Sequence, residues 1–371
     1  MNLQERDYWL AFNVVGGIGP KRFGQILKHF GSATKAWKAD NDNWLKTSLP
    51  LTLIDHLIYF KKQFDLLSYK LRLEKYLITF LTLEDNQYPN ILKEIDFPPF
   101  IIYIKGQLLL QDNLAISVVG TRKISSYGRQ VTTKVVQSLV SHNVTIVSGL
   151  ARGVDSVAHY QALQFGGRTL AVVGHGLDLI YPPENKLLSQ EIIKNGALVS
   201  QFPLNIQSVP GNFSARNKTI AGLSLATVVT EGAADSGSLI TAGFARSFGR
   251  PVFAVPGPIT SGLSAGPIKL LKEGAKVVTS GEDILEELKI KNPASKKGTH
   301  LEGKNKNSKF EDLKFNNQTE EKIWQTLVNG IKHIDQITRE SGLTAPQVAS
   351  ALTTMELSGL VKNLGSGEYC L

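Results

Sequence analysis

Apolar side chains recur with helical spacing from residue 1 to about residue 75, as at Leu27, Phe30, Ala33 and Trp37, and this period predicts a helical domain. Beyond about residue 78 the pattern changes to short, almost wholly apolar runs. Those at residues 100–105, 115–119, 145–148, 169–173, 197–200, 226–230, 251–254 and 276–279 predict strands. Amphipathic stretches such as 128–141 and 236–248 fall between them and predict helices. Strands that are apolar on both faces and alternate with helices imply a parallel sheet covered on both sides. The expected fold class is therefore α/β: a Rossmann-like parallel sheet over residues 78–291, preceded by a helical domain over residues 1–77.

Within the first domain, VVGGIGPKRFGQIL (from Val14 to Leu27) sets an apolar segment before a glycine turn and a basic helix start. It reads either as a helix–hairpin–helix (SAM-like) element offering backbone N–H groups to a phosphate or as a tight turn in a helical bundle. Residues 292–317 are polar, lysine-rich and aperiodic, which predicts a flexible linker. Helical periodicity returns in residues 318–371, with Ile323 and Leu327, Ile334 and Ile337, then Val348, Leu352 and Met355. Gly342 ends one helix, Thr344 caps the next, and GLVKNLGSGEYCL reads as a two-stranded wing, the order of a winged helix.

Composition narrows the class. One cysteine in 371 residues, Cys370, excludes an internal disulfide framework and suits a reducing compartment. No apolar run reaches the ~18 residues of a membrane span, and the N-terminus lacks the basic n-region of a signal peptide, so a soluble cytoplasmic protein without a membrane partner is expected. The net charge of +9 is compatible with a polyanion, although mere solubility would also account for it. Residues 291–317 hold 7 basic against 3 acidic side chains, whereas residues 318–371 hold 4 against 6.

Ligands of open α/β sheets bind at the carboxyl ends of the strands. Four predicted strand ends there are rich in small, hydroxyl and basic residues: Gly120-Thr121-Arg122; SGLARGVD with Ser148, Gly149 and Arg152; VVGHGLDLIYP; and TEGAADSGSLITA with Ser236 and Ser238. A further loop, GNFSARNKTIAGLS, brings Phe213, Arg216, Asn217 and Lys218 to a helix start. Small residues let a backbone approach a ligand, helix N-termini accept phosphate and arginines neutralise it. Several such loops along one sheet edge predict an extended anion groove. Phe213, beside two cations, reads either as a core residue or as a stacking surface for a nucleobase.

Cofactor and catalytic signatures are missing from the pattern. The dinucleotide fingerprint breaks at Leu179, the P-loop pattern is absent, and no histidine–cysteine cluster offers a metal site, so neither a cofactor nor a metal is expected. Asp155 and His159, four residues apart, read as a helix-start carboxylate and a buried or paired histidine, or as an acid–base pair. Glu231 reads as a holder of backbone amides or as a general base. Ser236 and Ser238 have no visible partner base for nucleophilic catalysis.

Taken together, VVGTR, SGLARGVDSVAH, VVGHGLDLIYPPEN, FSARNKTIAGLS, SGSLITA and GRPVFAVPG resemble the DNA-processing protein A (DprA, or Smf) family of bacteria, in that family's order and over nearly the whole chain. The resemblance implies a non-enzymatic protein that binds incoming single-stranded DNA during natural transformation and loads RecA recombinase on it. It also implies a homodimer formed through the Rossmann-like core. On the same ground Arg122 and Phe213 are expected to touch the single strand. One departure is Ile268, where the family usually carries asparagine. Two other readings compete with this one. A phosphoribohydrolase-like nucleotide enzyme would need a P-G-G-x-G-T-x-x-E strand end, which TEGAADSGSLITA lacks. A duplex-DNA regulator would need cations in TAPQVASALTTMELSGL, which contains no lysine or arginine.

Overall fold

A computed structural model describes residues 3–290, 317–327, 332–357, 360–365 and 367–370. The linker expected at 292–317 lies outside them, apart from its last residue. The chain divides into two compact units, Met1–Lys296 and Lys297–Leu371.

The first unit opens with six helices, α1 (Glu5–Val14), α2 (Pro20–Phe30), α3 (Ala33–Lys38), α4 (Asn41–Leu45), α5 (Leu51–Gln63) and α6 (Leu66–Lys75). Local chemistry sets their ends. Pro20 starts α2 where a missing N–H costs nothing, Gly31 closes it at φ 80°, and the Ser32 and Asp40 side chains cap α3 and α4.

The remainder alternates strands and helices: β1 (Thr79–Thr82), α7 (Asn90–Lys93), β2 (Ile101–Gly106), β3 (Ala115–Val119), α8 (Ser126–Ser141), β4 (Thr145–Ser148), α9 (Val154–Gln164) and β5 (Thr169–Val173). Then come α10 (Lys186–Asn195), β6 (Gly196–Ser200), α11 (Pro210–Gly222), β7 (Ala226–Val229), α12 (Gly237–Ser247), β8 (Val252–Ala254), α13 (Ala265–Lys272), β9 (Lys276–Val277) and α14 (Gly281–Glu287). The nine strands form one sheet in the order β1-β2-β6-β5-β4-β3-β7-β8-β9. From β6 to β9 all neighbours are parallel. The expectation of a parallel sheet needs one amendment: β2 runs antiparallel to β6, and β1, unread in the sequence, runs antiparallel to β2.

The chain steps outward from β3 through β4 and β5 to β6, then returns to β7 on the other side of β3. The crossover therefore changes direction between β3 and β7, the position at which such sheets form a ligand crevice. Residues of α8, α9 and α14 join one apolar cluster on the sheet, and those of α7, α11, α12 and α13 join another. A third cluster joins the helical layer to the sheet, as where Phe23 stacks on Phe100 at 4.1 Å. Ser117, the one polar residue of β3, is satisfied internally by Thr227 Oγ1 at 2.7 Å.

The second unit contains α15 (Gln318–Leu327), β10 (Lys332–His333), α16 (Ile334–Ser341), α17 (Ala345–Leu357), β11 (Lys362–Gly365) and β12 (Glu368–Cys370). Ile323, Leu327, Ile337, Val348, Leu352 and Met355 form its core. Gly342 closes α16 in the left-handed region at φ 67°, and the Gln347 side chain accepts from Thr344 N at 3.0 Å, one half of a capping box. The wing is a three-stranded sheet, β10-β12-β11, because the two-residue β10 joins the pair expected from sequence.

Candidate nucleic-acid interface

At the carboxyl ends of β3, β4 and β5, a recess is lined by Arg122, Gly149, Arg152, His175, Phe213 and Arg216, with Tyr181 and Ser208 at its border. The strand ends are tied together by backbone hydrogen bonds. Thr121 N donates to Glu231 O at 2.7 Å, and Val154 N donates to Thr121 O at 3.1 Å. Gly153, at φ 77°, lies so close that a Cβ there would stand 2.2 Å from Thr121 O.

Phe213 sits in the first turn of α11. The segment read from sequence as a loop is helical from Pro210 onward, because proline and glycine are tolerated in a helix's opening turn. The Phe213 ring is half-buried, with the Arg122 guanidinium carbon 4.9 Å and that of Arg216 5.7 Å from its centroid. Two cations thus flank one aromatic ring, an arrangement worth roughly 0.5–2 kcal/mol per contact depending on solvent exposure.

Arg216 is buried under the recess, its Nη1 3.6 Å from Asp155 Oδ2. Its approach requires Gly149, where any Cβ would collide with Nη1 at 1.5 Å. Burial pulls the Arg216 pKa down while Asp155 pulls it back up. Burial likewise pushes the Asp155 carboxyl up, against Arg216 and the backbone N–H groups of Ala151 and Gly149. Among the described residues, Arg216 Nε and Ser208 Oγ have no hydrogen-bond partner.

Asp155 and His159 do lie together, but in structural roles. Asp155 Oδ2 accepts from Gly149 N at 3.1 Å and Ala151 N at 3.3 Å. His159 is fully buried, its Nε2 accepting from Leu150 N at 3.3 Å. Its Nδ1 donates to Thr169 Oγ1 at 2.6 Å, since that hydroxyl spends its own proton on Ile146 O. This pattern describes a neutral imidazole, and burial, aided by Arg216, lowers its pKa to about 3. Glu231 holds the entry to α8, accepting from Ser125 N at 2.9 Å and Ser125 Oγ at 2.5 Å.

The other residues singled out from sequence surround the recess. Gly120 is required where Val154 and Glu231 O leave no room for a Cβ. Ser148 is buried and donates to Val118 O at 2.7 Å. Arg152 is exposed and paired with Glu184. Asn217 Nδ2 donates to Gly237 O at 3.2 Å, tying α11 to α12, whose start Ser236 caps while sharing a hydrogen bond with Ser238. Lys218 turns sideways to the carbonyls of Asp96 and Phe97. Tyr181, His175 and Ser208 were not among the sequence candidates. The first two lie in the VVGHGLDLIYPPEN block, so an aromatic before two prolines and a histidine between glycines were the available signals.

Comparison with known proteins bears on this site. The family model described as DNA recombination-mediator protein A matches residues 79–289, and the DprA winged helix domain matches residues 316–367. Protein Smf of a Synechocystis species is 37% identical over 298 residues, 76% of this chain and 73% of that protein. The DNA processing protein DprA of Streptococcus pneumoniae is 45% identical over 206 residues, 56% of this chain and 73% of that one. An X-ray structure of the pneumococcal protein superposes with a TM-score of 0.66 at 35% identity, covering 77% of this chain and 99% of that chain. A structure of DNA processing protein A from Helicobacter pylori, which describes its single-stranded-DNA binding mode, gives a TM-score of 0.51 at 30% identity over 57% of this chain and 95% of that one.

Proposed function

The chain belongs to the DNA recombination-mediator protein A (DprA/Smf) family, and on that premise we propose that it binds single-stranded DNA at the strand-end recess. The observation that carries the proposal is the Phe213 ring flanked by the Arg122 and Arg216 guanidinium groups. An unpaired base has a free face to stack on Phe213, the exposed Arg122 beside it meets a neighbouring phosphate, and Arg216 adds positive charge from beneath. A duplex keeps its base faces stacked internally and has nothing to offer the ring. The Helicobacter relative's single-strand binding mode supports the same assignment.

In our reading the bound strand is incoming DNA in natural transformation, protected in the cytoplasm and handed to a RecA-type recombinase by a homodimer formed through the Rossmann-like core. Of the residues named from sequence, Arg122, Gly149, Arg152, Phe213 and Arg216 line the path. Gly120, Thr121, Ser148, Asn217, Lys218, Ser236 and Ser238 shape it. The domain division at residue 77 and the linker at 292–317 belong to the same reading, as does a protein-contact role for the winged helix. An enzymatic role finds less support, because Asp155, His159 and Glu231 spend their acid–base atoms on holding the loops. Among the described residues no cluster of His, Cys, Asp and Glu could hold a metal, and no helix is long and apolar enough to cross a membrane.

Fluorescence anisotropy with labelled single-stranded and duplex oligonucleotides, across a salt series, tests the proposal. Single strands should bind tighter, with a negative log–log salt slope that becomes shallower by about one charge in Arg122→Ala. Equal affinity for both DNA forms at matched salt would refute it.

A further inference from the structure

Resting on that single-strand reading, we propose that Phe97 is a second base-stacking platform, lying beyond Phe213 on the same edge of the sheet. Its exposure is the first observation. Phe97 shows 58% of its surface to solvent, the highest figure for any phenylalanine among the described residues. The second is its backbone, held at φ 48° in the left-handed region. That conformation costs a bulky residue stability and would suit glycine or asparagine better. The ring is thus presented to solvent in a conformation that burial does not compensate.

The third observation is the cation that holds it. Lys218 Nζ donates to Asp96 O at 2.5 Å and to Phe97 O at 3.2 Å, and stands 6.0 Å from the centre of the Phe97 ring. An exposed ring with an ammonium group alongside is the pairing that takes a base and its neighbouring phosphate.

Topology places this pair on the ligand side. Phe97 precedes β2, and β2 runs antiparallel to β6 with Tyr103 opposite Ser200, so the start of β2 lies beside the carboxyl end of β6. Lys218 belongs to α11, five residues after Phe213, which is about 7.5 Å along the helix axis at 1.5 Å per residue and about 140° around it at 3.6 residues per turn, so a strand leaving Phe213 turns around α11 toward Phe97. A strand stacked on Phe213 and leaving the recess across α11 therefore meets Phe97 within a few nucleotides.

The test is anisotropy with oligothymidylates of increasing length, from ~4 to ~16 nucleotides, against the full chain and its Phe97→Ala, Phe97→Gly, Phe97→Tyr and Phe213→Ala variants. Phe213→Ala should weaken binding at every length. Phe97→Ala should leave the shortest oligonucleotides unaffected and weaken the longest by about 5-fold or more, the lower end of base–aromatic stacking. Phe97→Tyr should restore long-oligonucleotide affinity. Phe97→Gly, which relieves the positive φ, should lose affinity as alanine does while unfolding no more easily than the parent. Photocrosslinking with 5-iododeoxyuridine oligonucleotides should label Phe97 only when the strand is long. Superimposable Phe97→Ala and parent curves at all lengths, with Phe213→Ala impaired, would overturn the platform alone. If the parent chain bound no single strand of any length, the reading beneath it would fall too.

Discussion

Each end of β4 carries a largely buried arginine–aspartate pair, and the two are built differently. At its start Arg168 grips Asp112 with two nitrogens, at 2.7 and 2.9 Å, and donates also to Gln107 O, while Thr145 Oγ1 adds a bond to Asp112 at 3.0 Å. At its end Arg216 meets Asp155 through one nitrogen at 3.6 Å, and its Nε has no partner among the described residues. The first pair is closed and holds the fold. The second leaves donor capacity and positive charge under the recess, where an anionic ligand would complete it. Buried polar groups are nearly always satisfied, so the open valence of Arg216 beneath the recess supports the proposed anion contact at this end.

The largest expected effect breaks the closed pair. Asp112→Ala leaves Arg168 largely buried without a counter-charge and should cost about 3–5 kcal/mol in urea unfolding, with the single-strand affinity of the folded protein unchanged. A loss well under 1 kcal/mol would mean that this end is no better matched than the other.

Acid should loosen the open end through His159. Its folded pKa of about 3 lies below the ordinary 6.5, so the unfolded chain takes up a proton that the folded chain refuses. Stability is unaffected above pH 6.5 and is lost as pH falls from there toward 3. At pH 4.5, two units below the ordinary value, the loss from this group is about 3 kcal/mol. Urea unfolding of His159→Gln should show a drop between pH 7.5 and 4.5 that is smaller than the parent's by that amount. Equal drops would rule out the neutral, buried imidazole.

A smaller effect separates ligand from fold. Phe213→Ala should lower single-strand affinity by ~1–3 kcal/mol while changing unfolding free energy by no more than about 1 kcal/mol, because the ring is only half-buried. Affinity equal to the parent's from a well-folded variant would show that the cations act without a stacking partner.

The strands from β3 to β8 were legible because each is a short apolar run ending at small residues, a pattern set by burial on both faces. β1 and β10 were not. Four residues, of which only the last two are buried, and a two-residue pairing leave no periodic trace, and both exist only because a neighbouring strand offers its edge. The start of α11 was misread because Pro210 and Gly211 look like a turn until their place in the first helical turn is known. The candidate binding residues were legible as types, since arginines and an aromatic among glycines advertise an anion site. Their division of labour was not. Arg216 reads as one of two cations at a helix start, and its burial depends on Gly149, far away in the chain, having no side chain.

The sequence by itself therefore determined the layer order, the direction of most strands and the list of residues able to meet a phosphate. Those properties follow from hydrophobic period and local backbone chemistry, which act over neighbouring residues. Only the tertiary structure decided which arginine pairs with which aspartate, which way β1 and β2 run, and that two guanidinium groups lie against the Phe213 ring. Those depend on contacts between segments distant in the chain, where packing and the need to satisfy buried charge choose among arrangements that local pattern leaves equivalent.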